Sequence, residues 1–155
     1  MWQRIQSLYL FLAILLNGFA FILNIGELKI EGMDYHFSFF GLTEFSTGEM
    51  LYASTSLAVI NIVSIFISLL VILMFKKRQL QIKLCQLNLF VQLILLVAIF
   101  FLFDAAANSL NLDTEVLLEY GPATYLVIVP LVFIYLAIRA IKKDEALVRA
   151  ADRIR

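Results

Sequence analysis

Two apolar runs on either side of a short basic bridge constrain this chain more than any other feature in it. Residues 53–75 and 84–103 contain no Asp, Glu, Lys, Arg or His. Each has about the 20 residues that an α-helix needs to cross a hydrocarbon core roughly 30 Å thick. Between them, residues 76–83 carry Lys76, Lys77, Arg78 and Lys83. Cationic side chains translocate poorly, so the bridge stays on the side of synthesis and the two runs read as a membrane hairpin.

Two further runs extend the pattern, at about residues 5–25 and 122–141. With 63% hydrophobic and only 15% charged residues, the chain lies far from a soluble domain, where about a quarter of residues are charged. Its 155 residues leave room for four crossings and short connections, but not for a separate soluble domain. The expected fold is an all-α membrane protein with one domain over residues 1–155. It is a four transmembrane helix bundle with a short extracytoplasmic β-hairpin between helices 1 and 2 and a cytoplasmic extension of helix 4. The loops are 26–52 and 104–121, the bridge 76–83 and the tail 142–155. The first run follows Arg4 as a signal peptide would, but Gly18-Phe19-Ala20 lies inside it as a weak cleavage site, so a retained helix is expected, with Trp2 and Tyr9 near an interface.

The formal net charge of +0 hides a segregation. Every Lys and Arg except Lys29 falls on one expected side, at the two termini and the bridge. Glu27, Glu31, Asp34, Glu44, Glu49, Asp104, Asp113, Glu115 and Glu119 fall on the other. The positive-inside rule then makes both termini and the bridge cytoplasmic. Orientation already accounts for the basic residues, so nucleic acid is not an expected partner.

In the first loop, Leu28 and Ile30 alternate with Lys29 and Glu31, and Tyr35, Phe37 and Phe39 alternate with His36 and Ser38. That is strand periodicity around a Gly32-Met33-Asp34 turn, and it predicts a hairpin whose aromatic face rests on the helix ends. Phe40, Leu42 and Phe45 extend the same lid, and His36 falls on the polar face as a solvated histidine. In the second loop, Asn111 or Asp113 is placed to cap a short interfacial helix running through Leu118. Gly121-Pro122 starts the fourth helix, and Pro130 kinks it.

No ionisable side chain lies in the middle of any span, so the usual mark of a proton relay or ion path is missing. The intramembrane polar residues are uncharged. Asn61, Ser64 and Ser68 share one helical face, as do Cys85, Asn88 and Gln92. Counting depth from the basic residues at about 1.5 Å per residue pairs Ser68 with Gln92 and Asn17 with Asn61. As the sole cysteine, Cys85 excludes an intrachain disulfide, a Cys-x-x-Cys pair and a thiolate zinc cluster, and reads as a small buried side chain. No catalytic, cofactor or metal constellation is legible, so no enzyme activity and no cofactor is expected.

Beyond Arg139 the helical pattern continues. Leu147, Val148, Ala151 and Ile154 form an apolar stripe beside Arg149 and Arg153, a candidate surface for docking on a protein partner or on anionic headgroups. The stretches Gln3-Arg4-Ile5-Gln6-Ser7-Leu8-Tyr9-Leu10, Gln81-Ile82-Lys83-Leu84-Cys85 and residues 137–155 resemble an uncharacterised family of small four-helix inner-membrane proteins of the Bacteroidota, a domain of unknown function. The resemblance covers the whole length. It implies a bacterial inner membrane and brings no activity or site residue. A helix-strand-helix outline similar to the claudin-like architecture is fold analogy alone. The expected function is therefore that of a structural or accessory subunit of a larger inner-membrane complex, in contact with the lipid bilayer and with a protein partner or further copies of itself. The alternative is a small channel or carrier for a polar or uncharged solute, lined by Asn61, Ser68, Asn88 and Gln92.

Overall fold

A computed structural model describes residues 3–30, 33–74, 77–110 and 117–154, without the side chains of residues 3, 4, 117, 118, 149 and 151–154. Its four helices are α1 (Gln3–Ala20), α2 (Ser56–Leu73), α3 (Arg78–Ser109) and α4 (Pro122–Ile154). They pack side by side, α1 against α4 and α2, and α3 against α2 and α4. By length and composition α2, α3 and α4 are each apolar enough to cross a membrane, while α1 has a shorter apolar stretch, Ile5–Ala20. It stops earlier than the residue-25 limit read from hydropathy, because residues 21–25 turn the chain into the first strand. The Trp2 placement lies outside the described residues.

The short hairpin expected between the first two helices is part of a larger element. Strands β1 (Gly26–Ile30), β2 (Met33–Ser38), β3 (Gly41–Glu44) and β4 (Met50–Ala53) join β5 (Leu117–Tyr120) from the second loop in a five-stranded sheet, ordered β4-β3-β2-β1-β5. Every pairing is antiparallel. Two expectations are corrected here. Residues 53–55 precede α2 instead of opening it, since Ala53 pairs with Gly41 in the sheet. Leu117 and Leu118 belong to a strand, not to a capped interfacial helix, because β1 offers them an open edge. Asn111 and Asp113, the proposed caps, lie outside the described residues.

The sheet covers one end of the helices. Tyr120, Gly26, Phe37, Leu42 and Tyr52 form one row across all five strands, facing the core. The ring of Phe103 rises from α3 beneath this row, 5.2 Å from Phe37 and 5.3 Å from Tyr120 between centroids. Position 26 must be glycine for this, because a Cβ there would run into the Phe103 ring. Phe37, Phe39 and Leu42 are fully buried, so burial of these side chains fixes the sheet on the helix ends. Phe40 and Phe45 are exposed and do not extend the lid. A second junction ties the sheet to α4: Gly121 N–H donates to the Ile25 carbonyl (2.7 Å), as does the Thr124 hydroxyl (2.8 Å), and Ala123 N–H donates to the Asn24 carbonyl (3.2 Å).

Candidate functional site

The polar residues of the helices converge on one another. Gln92 of α3 and Asn17 of α1 exchange two amide hydrogen bonds, Asn17 Nδ2 donating to Gln92 Oε1 (3.3 Å) and Gln92 Nε2 to Asn17 Oδ1 (3.0 Å). The Ser64 hydroxyl of α2 donates to the same Oε1 (2.7 Å), and Gln92 Nε2 also donates to the Val127 carbonyl of α4 (3.0 Å). Asn61 Nδ2 donates to the Asn17 backbone carbonyl (3.0 Å). One side chain thus joins all four helices. Pro130 lies within the same helix as Val127. It has no N–H for the Leu126 carbonyl, and Gln92 bonds the next carbonyl along, that of Val127.

From this cluster a seam runs along the α2–α3 contact. Asn88 Nδ2 donates to Ser68 Oγ (2.7 Å), and two turns further on Gln81 Nε2 donates to the Val71 carbonyl (2.8 Å). Asn17, Asn61, Ser64, Ser68, Asn88 and Gln92 are all fully buried. The structure therefore brings Asn17, Asn61 and Gln92 together but sets Ser68 one turn away, against Asn88 and not Gln92. The depth count placed the hairpin bend at residues 76–83. Helix α2 in fact ends at Leu73 and α3 starts at Arg78, which moves the register of α3 by one turn. Ser64 and Asn88, both on the faces that spacing turns inward, complete the seam with Gln81, which sequence reasoning misses although it stands four residues before Cys85 and seven before Asn88 on the buried face of α3. Cys85 is buried.

Chemically the seam offers amides and hydroxyls. The side-chain carbonyls of Asn61, Gln81 and Asn88 accept no hydrogen bond from the described residues. Among the described residues no group of three His, Cys, Asp or Glu side chains is placed to hold a metal ion. Such a seam selects helix register and orientation, since a polar group in an apolar interior must find its partner or bear the cost of desolvation.

The outer face of the sheet carries the charged groups. Glu119, Glu27, His36 and Thr43 form a row across β5, β1, β2 and β3. The carboxylates of Glu27 and Glu119 stand directly opposed, and an ion pair offsets that of Glu119. Lys29 Nζ lies 3.1 Å from Glu119 Oε2, and His36 Nδ1 lies 3.4 Å from Glu27 Oε1. The Glu119 hydrogen bond, and then its charge, hold the Lys29 ammonium above the ordinary lysine value of 10.5. His36 is not the freely solvated histidine that strand phase suggests. Its Nδ1 is 2.9 Å from Asn24 Nδ2, and Phe45 packs edge-on against its ring, so the side chain is only 22% exposed.

At the opposite end, Arg78 Nη1 bonds the Asp144 carboxylate and carbonyl, each at 3.3 Å, and Gln79 reaches Glu145 (3.5 Å). These contacts clasp α4 to the start of α3. Of the candidate docking residues beyond the clasp, Leu147 and Val148 are exposed. The side chains of Arg149, Ala151, Arg153 and Ile154 lie outside the described residues. The family model described as domain of unknown function (DUF4293) matches residues 2–154. No curated protein matches the chain.

Proposed function

We propose, for a chain that belongs to the DUF4293 family, the role of a structural or accessory subunit in a bacterial inner-membrane complex. All four helices span, including the short α1, with the sheet outside the cell membrane and both termini in the cytoplasm. The reading rests on one observation. Helix α4 runs on without a break past the Arg78–Asp144 clasp to Ile154, and among the described residues Leu147 and Val148 beyond the clasp stand exposed. The helix is 33 residues long, about 50 Å at 1.5 Å per residue, and a bilayer core needs only about 30 Å of it. Beyond the clasp the helix carries Leu147 and Val148 past its contacts with Arg78 and Gln79 of α3, which favours a protein partner, or a second copy, over the membrane surface.

The channel or carrier reading has weaker support. Asn61, Ser68, Asn88 and Gln92 are fully buried and bonded to neighbouring helices, so they hold the bundle closed. The test is truncation after Ala146, which keeps the clasp and removes only the projecting segment. Co-purification from native membranes followed by mass spectrometry is expected to lose one or more partners that the full chain retains. An unchanged partner set would refute docking through this helix.

A further inference from the structure

The outward face of α3 carries a stripe that the bundle does not use. Lys83, Leu87, Phe90, Ile94, Val97 and Phe101 recur at steps of three and four residues, so they share one side of the helix. All are exposed, the five apolar ones at 51–73%. Along this side Phe90, Leu93, Ile94, Val97 and Ala98 line an open groove of about 310 Å³. Lys83 stands seven residues before Phe90, about 10 Å along the axis, at the end where the basic residues gather. Gln79 and Gln86, four residues before it and three after, are exposed on the same side. Among the described residues no carboxylate pairs with Lys83; Asp144 is bonded to Arg78 and Glu145 to Gln79.

Building on the membrane reading above, we infer that this face of α3 seats one anionic phospholipid, its phosphate at Lys83 and an acyl chain in the groove below. Charge and shape point to the same occupant. A lysine at the end of an apolar stripe extends its methylenes along that stripe and lifts its ammonium to the depth of the headgroups. Its neighbour Gln86 supplies an uncharged donor suited to phosphate and glycerol oxygens. Below them the groove begins about where hydrocarbon begins, and its lining is wholly apolar. A single lysine near the surface favours an anionic over a zwitterionic headgroup by about fivefold.

The test uses the full-length protein in nanodiscs of equimolar phosphatidylglycerol and phosphatidylcholine, ejected into a native mass spectrometer. One phosphatidylglycerol should remain bound, about fivefold over phosphatidylcholine. Lys83→Gln should abolish that preference, whereas Lys77→Gln, which removes an exposed cation from the same end but off the stripe, should leave it intact. Ile94→Trp, which fills the groove, should lower retention of both lipids while keeping their ratio. Equal preference in wild type and Lys83→Gln would overturn the seat, as would an equal loss in Lys77→Gln. A dimer whose formation strips the lipid would give the groove to a second copy and overturn it too. Failure of the chain to float with carbonate-washed vesicles would overturn the membrane reading and the seat together; flotation without lipid preference would overturn the seat alone.

Discussion

Gln92 uses both ends of its amide inside the protein, on partners from three other helices. Replacing it by leucine keeps the volume but leaves the Asn17 amide, the Ser64 hydroxyl and the Val127 carbonyl each short of a bond. Unpaired buried groups cost about 1–3 kcal/mol, and hydrogen bonds between membrane helices average only about 0.6 kcal/mol. Gln92→Leu is therefore expected to cost about 2 kcal/mol, and Ser68→Ala, which breaks the bond to Asn88, under about 1 kcal/mol. Unfolding in mixed micelles would show the difference, and equal losses would mean that Gln92 does not organise the cluster. Which residues turn inward was legible from spacing, because one helical face collects Asn61, Ser64 and Ser68 and another Cys85, Asn88 and Gln92. Which residue meets which was not. Pairing depends on where the α2–α3 turn sits, and a run of lysines marks a boundary only to within a helical turn.

Among the elements, the sheet was the least legible. Alternation over residues 28–39 reveals β1 and β2, but β3, β4 and β5 have four residues each and too few side chains to establish a period. Their pairing is decided by neighbours distant in sequence, which is why local propensity misassigns Leu117 and Leu118. Two glycines locate the tight places. Gly41 has φ +141°, and a Cβ on it would strike the Tyr52 carbonyl, so Gly41→Ala is expected to destabilise the sheet by about 1–3 kcal/mol. Gly26→Ala must displace the Phe103 ring, with a similar cost of about 1–3 kcal/mol from overpacking. Hydrogen exchange of the sheet amides measures both, and unchanged protection in either variant would contradict the packing described. The Lys29–Glu119 pair adds a pH dependence of known sign. The folded state holds the Lys29 proton more tightly than the unfolded chain, so its contribution is fully present below about pH 10.5 and fades as pH rises through the raised folded value. Alkaline loosening of β5 should be weaker in Lys29→Met, and an identical profile would remove the pair from the account.

At the scale of the molecule, the proposed orientation predicts opposite accessibility for its two ends. Cys85 is buried, so engineered thiols can be read against a quiet background. Ser46→Cys, in the exposed turn after β3, should react with a membrane-impermeant maleimide on intact cells, and Ala150→Cys, in the projecting part of α4, only after lysis. The reverse pattern would invert every assignment of sides. The segregation of charge along the sequence is what suggests this axis, whereas the joining of the two loops in one sheet left no local trace. That joining has a consequence for biogenesis. Strand β5 zips onto β1 only after about three quarters of the chain has been made, so during synthesis the earlier strands wait with one flank unpaired. On the proposed orientation, a nascent chain stalled before residue 117 should be cut by an extracytoplasmic protease within the β1–β2 ribbon, and one completed through α4 should resist: β5 acts as the latch that certifies a finished molecule.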